Sequence, residues 1–345
     1  MASEIETTAM RRALAAAVAQ GSPRGPNPRV GCVLLSAAGH ELAVGAHRGA
    51  GTPHAEVDAL SQVDDARGAT AVVTLEPCNH TGRTGPCTEA LISAGVARVV
   101  FAQADPNPQA AGGAARLTSA GVDVEPGLLA AESEALNPYW TASVTRGRPF
   151  VTWKFASSLD GRSAAADGTS RWITSESARA DVHRLRADVD AIAVGTGTVL
   201  ADDPSLTARR PDGSQAPTQP LRVVVGTRSV PQQANVLAGP GPTAVYATRD
   251  LFEVLADLHA REVRHLLLEG GPTLAGAFLA AGLVDEVVAY VAPVLLGAGP
   301  TALIGGGITT ITDALWLQTI DVTAFGPDLR ITARPLASQR TTWEV

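Results

Sequence analysis

One histidine, one glutamate and two cysteines in the first quarter of the sequence have the types and spacing of a reactive metal site. They stand as His54-Ala55-Glu56, then Pro77-Cys78, then Cys87. Imidazole and thiolate are ligands that zinc prefers, and three of them leave the fourth tetrahedral position for water. Glu56 follows His54 too closely to be a comfortable ligand, yet it can reach that water. The sequence therefore predicts a zinc site of His54, Cys78 and Cys87 with Glu56 beside it.

This arrangement predicts hydrolytic removal of an amine. Zinc lowers the pKa of a bound water to about 7, and Glu56 can carry the proton to a leaving amine. The order His-x-Glu, Pro-Cys, Cys is typical of zinc-dependent deaminases. The alternative is a buried cysteine pair beside an unrelated histidine, which we disfavour because two of the three cysteines flank one short loop. The remaining one, Cys32, is expected to be a buried strand thiol.

The loop between the two metal-binding cysteines is unusually long. Nucleoside deaminases usually have two residues there, whereas this chain has the segment 79–86, with a histidine, an arginine and two threonines. Such side chains bind anions and sugars, so we expect a substrate with a phosphate close to the metal. A solvated surface loop is the alternative.

A second group of candidate residues suits a nucleotide cofactor. The strand predicted over 263–268 is followed by Glu269-Gly270-Gly271-Pro272-Thr273-Leu274 and a helix. Glycines let the backbone approach a phosphate, and a helix N-terminus adds amide donors. By itself this is more often an ordinary tight turn. The segments 154–162 and 195–204 strengthen the case, because each also places hydroxyl and charged residues after a strand.

Several charged residues of the second half have two interpretations. Arg186, Arg209 and Arg210 can clamp a phosphate, or they can form a solvated face. The run Asp202-Asp203-Pro204 is, alone, more typical of a capped turn. Lys154 is the sole lysine beside 26 arginines, which reflects either chance or a position where arginine does not fit. The sequence assigns Lys154 no role.

Alternating helix and strand patterns must position these residues. In the first half they predict helices over 7–20 (capped by Thr7 or Thr8), 54–64, 88–94 and 113–120, and strands over 29–36, 41–47, 70–75 and 97–102. The pattern weakens between 125 and 148, and a new strand opens at 148–154. The alternation then resumes and ends in a strand pair near 319–333. We therefore predict two layered α/β domains, residues 1–145 and 146–345.

The amino-acid composition limits the classes of molecule that the protein is expected to bind. The 345 residues are 45% hydrophobic, 18% charged and only 4% aromatic, with a net charge of −7. These values fit small-molecule substrates and not nucleic acid, which needs basic and stacking surfaces. Three cysteines and an N-terminus without an apolar core predict a reducing cytoplasm. The uncharged run 287–312 contains two prolines and five glycines, so strand-turn-strand is expected there rather than a membrane span.

Over nearly its whole length the sequence resembles the bifunctional riboflavin-biosynthesis deaminase/reductase family. Its amino-terminal marks stand here as 27–33 (NPRVGCV), 54–56 (HAE) and 74–87 (TLEPCNHTGRTGPC), with Asn79 where the family usually has serine. The resemblance implies a cytidine-deaminase-like three-layer α/β domain in which Glu56 shuttles protons beside the zinc. It also implies these ligands of an aminopyrimidine and its ribose phosphate: Asn27, His47, His80, Arg83, Asp105 and Asn107.

The reductase half of the same family is marked here by 148–154 (RPFVTWK), 158–162 (SLDGR), 170–174 (SRWIT), 198–204 (TVLADDP) and 269–274 (EGGPTL). The resemblance implies an α/β domain similar to dihydrofolate reductase. The implied NADPH contacts are Ala156, Trp172, Thr198, Asp202, Gly271, Pro272 and Thr273. The implied substrate contacts are Ser170, Arg186, Arg209 and Glu269.

The implied reactions are consecutive. Hydrolysis removes ammonia from C2 of a diaminopyrimidinone ribose phosphate, and NADPH then reduces the ribose of the aminouracil product to ribityl, at C1′ of the ring-opened sugar as an imine. Glu269 or Asp202 can assist the accompanying proton. A homo-oligomer, dimer or tetramer, is expected. A nucleic-acid base deaminase would instead need a basic groove, and a binding module that had lost its chemistry would show a damaged His-x-Glu or cysteine pair.

Overall fold

The computed structural model describes residues 2–19 and 25–336. The chain forms two compact units, Met1–Arg148 and Pro149–Val345. The domain boundary predicted at residue 145 lies inside the final helix of the first unit, Pro138–Arg146. The sequence pattern missed that helix and its neighbour, Ala130–Leu136.

The first unit is built on a five-stranded mixed sheet. Its strands are β1 (Gly31–Leu35), β2 (Glu41–Ala46), β3 (Thr70–Leu75), β4 (Arg98–Gln103) and β5 (Asp123–Pro126). They lie in the order β2-β1-β3-β4-β5. β1 pairs antiparallel with β2 and β3, whereas β3, β4 and β5 are parallel. The carboxyl ends of the parallel strands therefore meet at one edge, where α/β sheets bind ligands.

Helices cover both faces of this sheet. They are α1 (Glu4–Val18), α2 (Ala55–Leu60), α3 (Cys87–Ser93), α4 (Gly113–Ser119), α5 (Ala130–Leu136) and α6 (Pro138–Arg146). Successive residues of a strand point to opposite faces. Cys32 packs in one apolar cluster with Ala59 of α2, while Val33 packs in another with Met10 of α1. The predicted three-layer α/β arrangement is confirmed, and Cys32 is a buried strand thiol.

The first helix begins earlier than predicted. The Ser3 amide donates to Glu6 Oε2 at 2.6 Å, and the Glu6 amide donates to Ser3 Oγ at 3.2 Å. This reciprocal capping box satisfies two amides at the start of the helix. Thr7 and Thr8 lie within the first turns and donate their hydroxyls to backbone carbonyls, so the prediction that one of them caps the helix was wrong.

The second unit is built on an eight-stranded sheet. Its strands are β6 (Phe150–Ser158), β7 (Ala191–Gly195), β8 (Leu221–Val225), β9 (Thr243–Tyr246), β10 (His265–Leu268), β11 (Glu286–Ala292), β12 (Leu317–Phe325) and β13 (Asp328–Pro335). The order is β12-β13-β11-β6-β10-β7-β8-β9. The strands from β11 to β9 in this order are parallel, and β13 and β12 continue the sheet antiparallel.

Helices again cover both faces. They are α7 (Glu176–Asp188), α8 (Thr196–Asp202), α9 (Asn235–Ala238), α10 (Leu251–Ala260) and α11 (Pro272–Ala280), with a 3₁₀ turn at Ile311–Asp313. On one face Ala193 of β7 packs in a cluster with Leu255 and Phe278. On the other, Ile192 packs with Val199 and Val236. The second predicted α/β domain is therefore also layered.

The uncharged run 287–312 forms one strand rather than two. β11 ends at Ala292, and the chain then runs irregularly through glycines with positive φ at 297, 299 and 305–307. Glycine readily adopts such backbone conformations, and no strand follows β11 in this run, so the predicted second strand was wrong. Among residues 2–19 and 25–336, no helix is long and apolar enough to cross a membrane.

Candidate active sites

Three segments of the first unit bring one histidine and two cysteines together. His54 is the N-cap of α2, Cys78 follows β3, and Cys87 is the first residue of α3. The Nδ1 atom of His54 lies 3.2 Å from Sγ of Cys87 and 3.5 Å from Sγ of Cys78. The three possible ligand atoms lie within 4.8 Å of one another. One imidazole and two sulfurs this close have the composition of a zinc site with an open position.

The local electrostatics favour metal binding. A hydrogen bond from Cys87, together with His54, lowers the pKa of Cys78 to about 4. The Cys87 thiol donates that bond and is buried, so its own pKa is raised. The Cys87 backbone amide also points at Sγ of Cys78, at 3.4 Å. The cluster therefore holds one thiolate readily, and a divalent cation would displace the proton that the two sulfurs share.

Glu56 lies in the first turn of α2, directly beside the cluster. It is 3% exposed, and its carboxyl group interacts electrostatically with Cys78, His54 and Cys87. Burial raises the pKa of Glu56 to about 7. A carboxyl group with a pKa near neutrality can both accept and return a proton. It is not one of the three grouped ligand atoms, so it stands free to act on a molecule bound there.

Asn27 and His47 extend the site on the other side of His54. The His47 ring lies edge-on to the His54 ring, with centroids 5.2 Å apart. His47 Nδ1 is 3.0 Å from the carbonyl oxygen of Pro53 and therefore carries the proton. Its Nε2 accepts from the side-chain amide of Asn27 at 2.9 Å. Burial lowers the pKa of His47, which favours this neutral tautomer.

The long loop between the cysteines borders the same site. Thr84 Oγ1 lies 3.3 Å from Nε2 of His54, and a cavity of about 510 Å³ lies between Pro53–Val57 and Thr84–Ser93. Within the described chain, Nδ1 of His80 is buried without a hydrogen-bond partner. Arg83 is exposed on the loop. A buried imidazole nitrogen without a hydrogen-bond partner, on a loop that also lines the cavity, is a candidate ligand contact.

Asp105 and Asn107 form the turn after β4, held by a residue that the sequence analysis missed. Both oxygens of buried Glu76 accept backbone amides, from Asp105 at 3.1 Å and from Ala114 at 2.9 Å. Asp105 in turn accepts the amide of Asn107 at 2.9 Å, and burial raises the pKa of Asp105 to about 6. Glu76 therefore ties this turn to the segment that carries Cys78. In the sequence, only its position two residues before Cys78 indicates that Glu76 belongs to the site.

In the second unit, Glu269 and Arg186 form a bidentate ion pair. The guanidinium Nε and Nη2 of Arg186 donate to the two oxygens of Glu269 at 2.7 and 2.8 Å. Burial would raise the pKa of Glu269, but the charge and hydrogen bonds of Arg186 outweigh it and lower that pKa to about 2, with Lys154 and His183 contributing. Glu269 is therefore ionised at neutral pH.

Lys154 belongs to the same charged group. It lies on β6, with Nζ 5.7 Å from the ring centroid of Tyr290. Removal from water lowers the pKa of Lys154, while the charge of Glu269 opposes that shift. An ammonium in this setting releases its proton more easily than one on the surface. Sequence alone offered only the rarity of lysine as a signal for this position.

The predicted glycine-rich turn, residues 269–274, lies next to the start of α8, which directly follows β7. The Gly271 amide donates to the Thr198 hydroxyl at 3.1 Å, so the starts of α8 and α11 are adjacent. A methyl group at residue 270 would lie 2.9 Å from a Leu274 methyl carbon, so any side chain there would have to displace Leu274. Thr198, Gly271, Pro272 and Thr273 thus form one surface with backbone amides at a sheet edge, suited to a phosphate.

Among the described residues, no side-chain hydrogen bond joins the other predicted contacts to these two groups. Asp202 accepts at its backbone carbonyl from Arg171 at 3.2 Å. Trp172 is 69% exposed, and the Arg179 guanidinium lies 4.5 Å from its ring centroid. Ser170 and Arg209 are exposed, and Ala156 is partly buried on β6.

Two protein families match this chain. The family described as cytidine and deoxycytidylate deaminase zinc-binding region matches residues 3–103. The family described as RibD C-terminal domain matches residues 149–331. The first match covers the cysteine–histidine cluster, and the second covers the Arg186–Glu269 pair.

Full-length relatives carry both regions. The riboflavin biosynthesis protein RibD of Mycobacterium tuberculosis is 54% identical over 307 residues, covering 88% of this chain and 90% of the relative. The Escherichia coli protein of the same name is 42% identical and covers 88% and 92%.

Solved structures of similar proteins have the same fold over nearly the whole chain. The structure described as Acinetobacter baumannii RibD, form 2, has a TM-score of 0.89 and 38% identity, and covers 96% of this chain and 99% of that one. A deaminase/reductase structure from Thermotoga maritima has a TM-score of 0.84 and 32% identity, with the same coverage. The chain therefore belongs to the RibD family of riboflavin biosynthesis proteins, and it is a bifunctional deaminase and reductase.

Proposed function

We propose that the first unit is a zinc-dependent hydrolytic deaminase whose metal ligands are His54, Cys78 and Cys87. The observation that carries this proposal is the grouping of the three ligand atoms within 4.8 Å of one another, with the buried Glu56 two residues after His54. Zinc bound there would supply a Lewis acid that activates water near neutral pH. Glu56 takes up a proton on the substrate side of the cluster and delivers it to the departing amine.

The substrate of this site is a diaminopyrimidinone that carries a ribose phosphate. Asn27 and neutral His47 present hydrogen-bonding atoms beside His54 and suit the polar edge of a pyrimidine. His80 and Arg83 on the long loop, with Asp105 and Asn107 after β4, suit the ribose and its phosphate. Glu76 acts as a positioning residue, because it holds the Asp105 turn against the Cys78 segment.

The second unit then reduces the ribose of the deaminated product with NADPH. The proposed cofactor contacts are Ala156, Trp172, Thr198, Asp202, Gly271, Pro272 and Thr273, and the proposed substrate contacts are Ser170, Arg186, Arg209 and Glu269. Bound NADPH would supply the hydride. The Gly271 amide donates to the Thr198 hydroxyl, which brings the starts of α8 and α11 together at two adjacent strand ends, and this supports a pyrophosphate there.

Lys154 is the proposed proton source of the reduction. An imine needs a proton at nitrogen when hydride reaches C1′. Glu269 has a pKa of about 2 and therefore carries no proton to give at neutral pH. Lys154 is partly removed from water, which lowers its pKa and makes its ammonium a readier proton donor, and it lies in the field of Glu269. Glu269 positions the ammonium and stabilises the positive charge of the site.

A paired assay tests the proposed function. The purified protein should release ammonia from the diaminopyrimidine ribose phosphate and then oxidise NADPH as the product forms. Prolonged dialysis against a zinc chelator should reduce ammonia release to background, and added zinc should restore it. Reduction of separately supplied aminouracil product should be unchanged by the same dialysis, because its proposed residues lie in the other unit. Ammonia release that persists in metal-free protein would contradict the proposal.

We also propose a cytoplasmic homo-oligomer, dimer or tetramer. All three cysteines are free thiols, which suits a reducing compartment. The edge strand β12 exposes Ile320 and Val322 by 50% and 55%, and Leu329 on β13 is 44% exposed. Apolar side chains on an unpaired edge favour contact with a second copy. Light scattering should show a mass above that of one chain, and Val322→Glu should lower it. A monomeric wild-type protein would refute the proposal.

A further inference from the structure

A small hairpin in the chain between α8 and β8 carries two exposed arginines, Arg209 and Arg210. The Arg210 amide donates to the Ser214 carbonyl at 2.8 Å, and the Ala216 amide donates to the Ala208 carbonyl at 3.0 Å. We call residues 208–216 the arginine hairpin. Every residue from 209 to 215 is exposed, so apolar packing of these residues does not fix its orientation. That orientation depends on contacts at the base of the hairpin.

The side-chain amide of Gln219 closes the base of the arginine hairpin. Its Oε1 accepts from the Ala208 amide at 2.9 Å, and its Nε2 donates to the carbonyl oxygens of Ala208 at 2.9 Å and Ala216 at 2.8 Å. Ala208 is fully buried. Bonding both the amide and the carbonyl of one residue is what a neighbouring strand does. The Gln219 side chain therefore acts as a strand partner and holds both arms of the hairpin.

The chain immediately before the hairpin is tied to the Arg186–Glu269 pair. The Thr207 carbonyl accepts from Nη1 of Arg186 at 3.2 Å and from Nδ1 of His183, also at 3.2 Å. Leu206 has a left-handed φ of 51° and is 3% exposed. A residue other than glycine keeps such a backbone conformation only where its surroundings impose it. This segment is therefore held in one conformation beside the ion pair.

Arg209 follows directly on this fixed segment and lies within electrostatic reach of the ion pair. Burial lowers the pKa of His183, and the charges of Arg186 and Arg209 lower it further. The charges of both guanidinium groups therefore reach the same imidazole. A mobile arginine loses conformational entropy when it binds an anion, and a fixed backbone reduces that loss. A hairpin held at its base therefore favours binding of an anionic substrate by Arg209.

We propose that Gln219 is a positioning residue of the reductase, which holds the arginine hairpin so that Arg209 is oriented to bind the phosphate of the deaminated product. This inference rests on the proposed reductase function, in which Arg209 is a substrate contact. It extends that function to a residue that acts on the substrate only through the backbone of the hairpin.

Steady-state reduction of separately supplied aminouracil product by Gln219→Met tests the inference. Methionine has a similar length but makes none of the three hydrogen bonds, so the KM for the product should rise about 10-fold. The kcat should stay within about twofold of wild type, because a phosphate remote from the reacting carbon is bound equally before and in the transition state. Gln62→Met is the matched control, since Gln62 also donates its side-chain amide to two backbone carbonyls, in the first unit. It should leave this KM unchanged.

Combining Gln219→Met with Arg209→Ala shows whether Gln219 acts through Arg209. Arg209→Ala alone should raise the KM at least as much as Gln219→Met does. Adding Gln219→Met to it should then have almost no further effect, because the two residues act as one unit. Calorimetric binding of NADPH to Gln219→Met should equal that of wild type, whereas a general loss of stability would weaken it.

The possible failures are distinguishable. A wild-type KM in Gln219→Met, or an equal rise in KM with and without Arg209, would refute the role of Gln219 while the proposed reductase function stands. Weaker NADPH binding by Gln219→Met would also refute it, because the residue would then support the unit as a whole. A wild-type protein that does not oxidise NADPH with the aminouracil product would overturn the proposed reductase function together with this inference.

Discussion

Glu56→Gln should lower the rate of ammonia release by about 10²- to 10⁴-fold while the protein keeps its zinc. The amide has nearly the same shape as the carboxyl group and fills the same buried space. It cannot take up and return a proton. His54, Cys78 and Cys87 remain in place, so metal analysis should find zinc equal to wild type. Initial rates of ammonia release together with zinc content check both parts.

Two controls make this result specific to the proton carrier. Glu132→Gln changes an exposed carboxylate on α5 and should leave ammonia release unchanged. The Glu56→Gln protein should also reduce separately supplied aminouracil product at the wild-type rate. Full deaminase activity in Glu56→Gln would remove Glu56 from the mechanism, and loss of zinc in that variant would assign it a role in metal binding instead.

The sequence predicted the deaminase centre well because its chemistry is encoded over short distances. His54 and Glu56 are two residues apart on one helix start, and Cys78 and Cys87 flank one loop. The limits of β3 were also predicted correctly, since it is a short apolar run between polar turns. The helices α5 and α6 were missed because they bury few residues, and two of these are the polar Ser133 and Ser143. Their apolar periodicity is correspondingly weak.

Contacts between residues that are far apart in the sequence could not be predicted from the sequence alone. Arg186 and Glu269 were predicted as separate substrate contacts, but their pairing across 83 residues, which fixes the ionisation of Glu269, needed the fold. The same holds for Glu76, whose two amide partners lie 29 and 38 residues away. A spacing pattern identifies ligands on one element, whereas charge pairing between elements follows from topology.

Lys154→Arg should lower the rate of NADPH oxidation by about 10²- to 10⁴-fold and leave ammonia release unchanged. Arginine keeps the positive charge beside Glu269 but has a pKa above 12, so it does not release a proton. The proposed role therefore predicts that Lys154→Arg is about as slow as Lys154→Met. If charge alone mattered, the arginine variant would retain most of the rate. Initial rates of NADPH oxidation with saturating product of the deaminase compare the two variants.

The variant Glu269→Gln tests whether Glu269 positions Lys154 rather than donating the proton itself. The amide removes the carboxylate that lies against Arg186 and leaves that buried guanidinium without its counter-charge. The pKa of Lys154, which the charge of Glu269 raises, should then fall. The reductase rate of Glu269→Gln should decrease at neutral pH and recover partly as the pH is lowered, because acid restores the ammonium form. The rate of Lys154→Met should show no such recovery, since it has no amine to protonate.

A full reductase rate in Lys154→Arg, or identical pH profiles for Glu269→Gln and wild type, would show that the proton comes from another group.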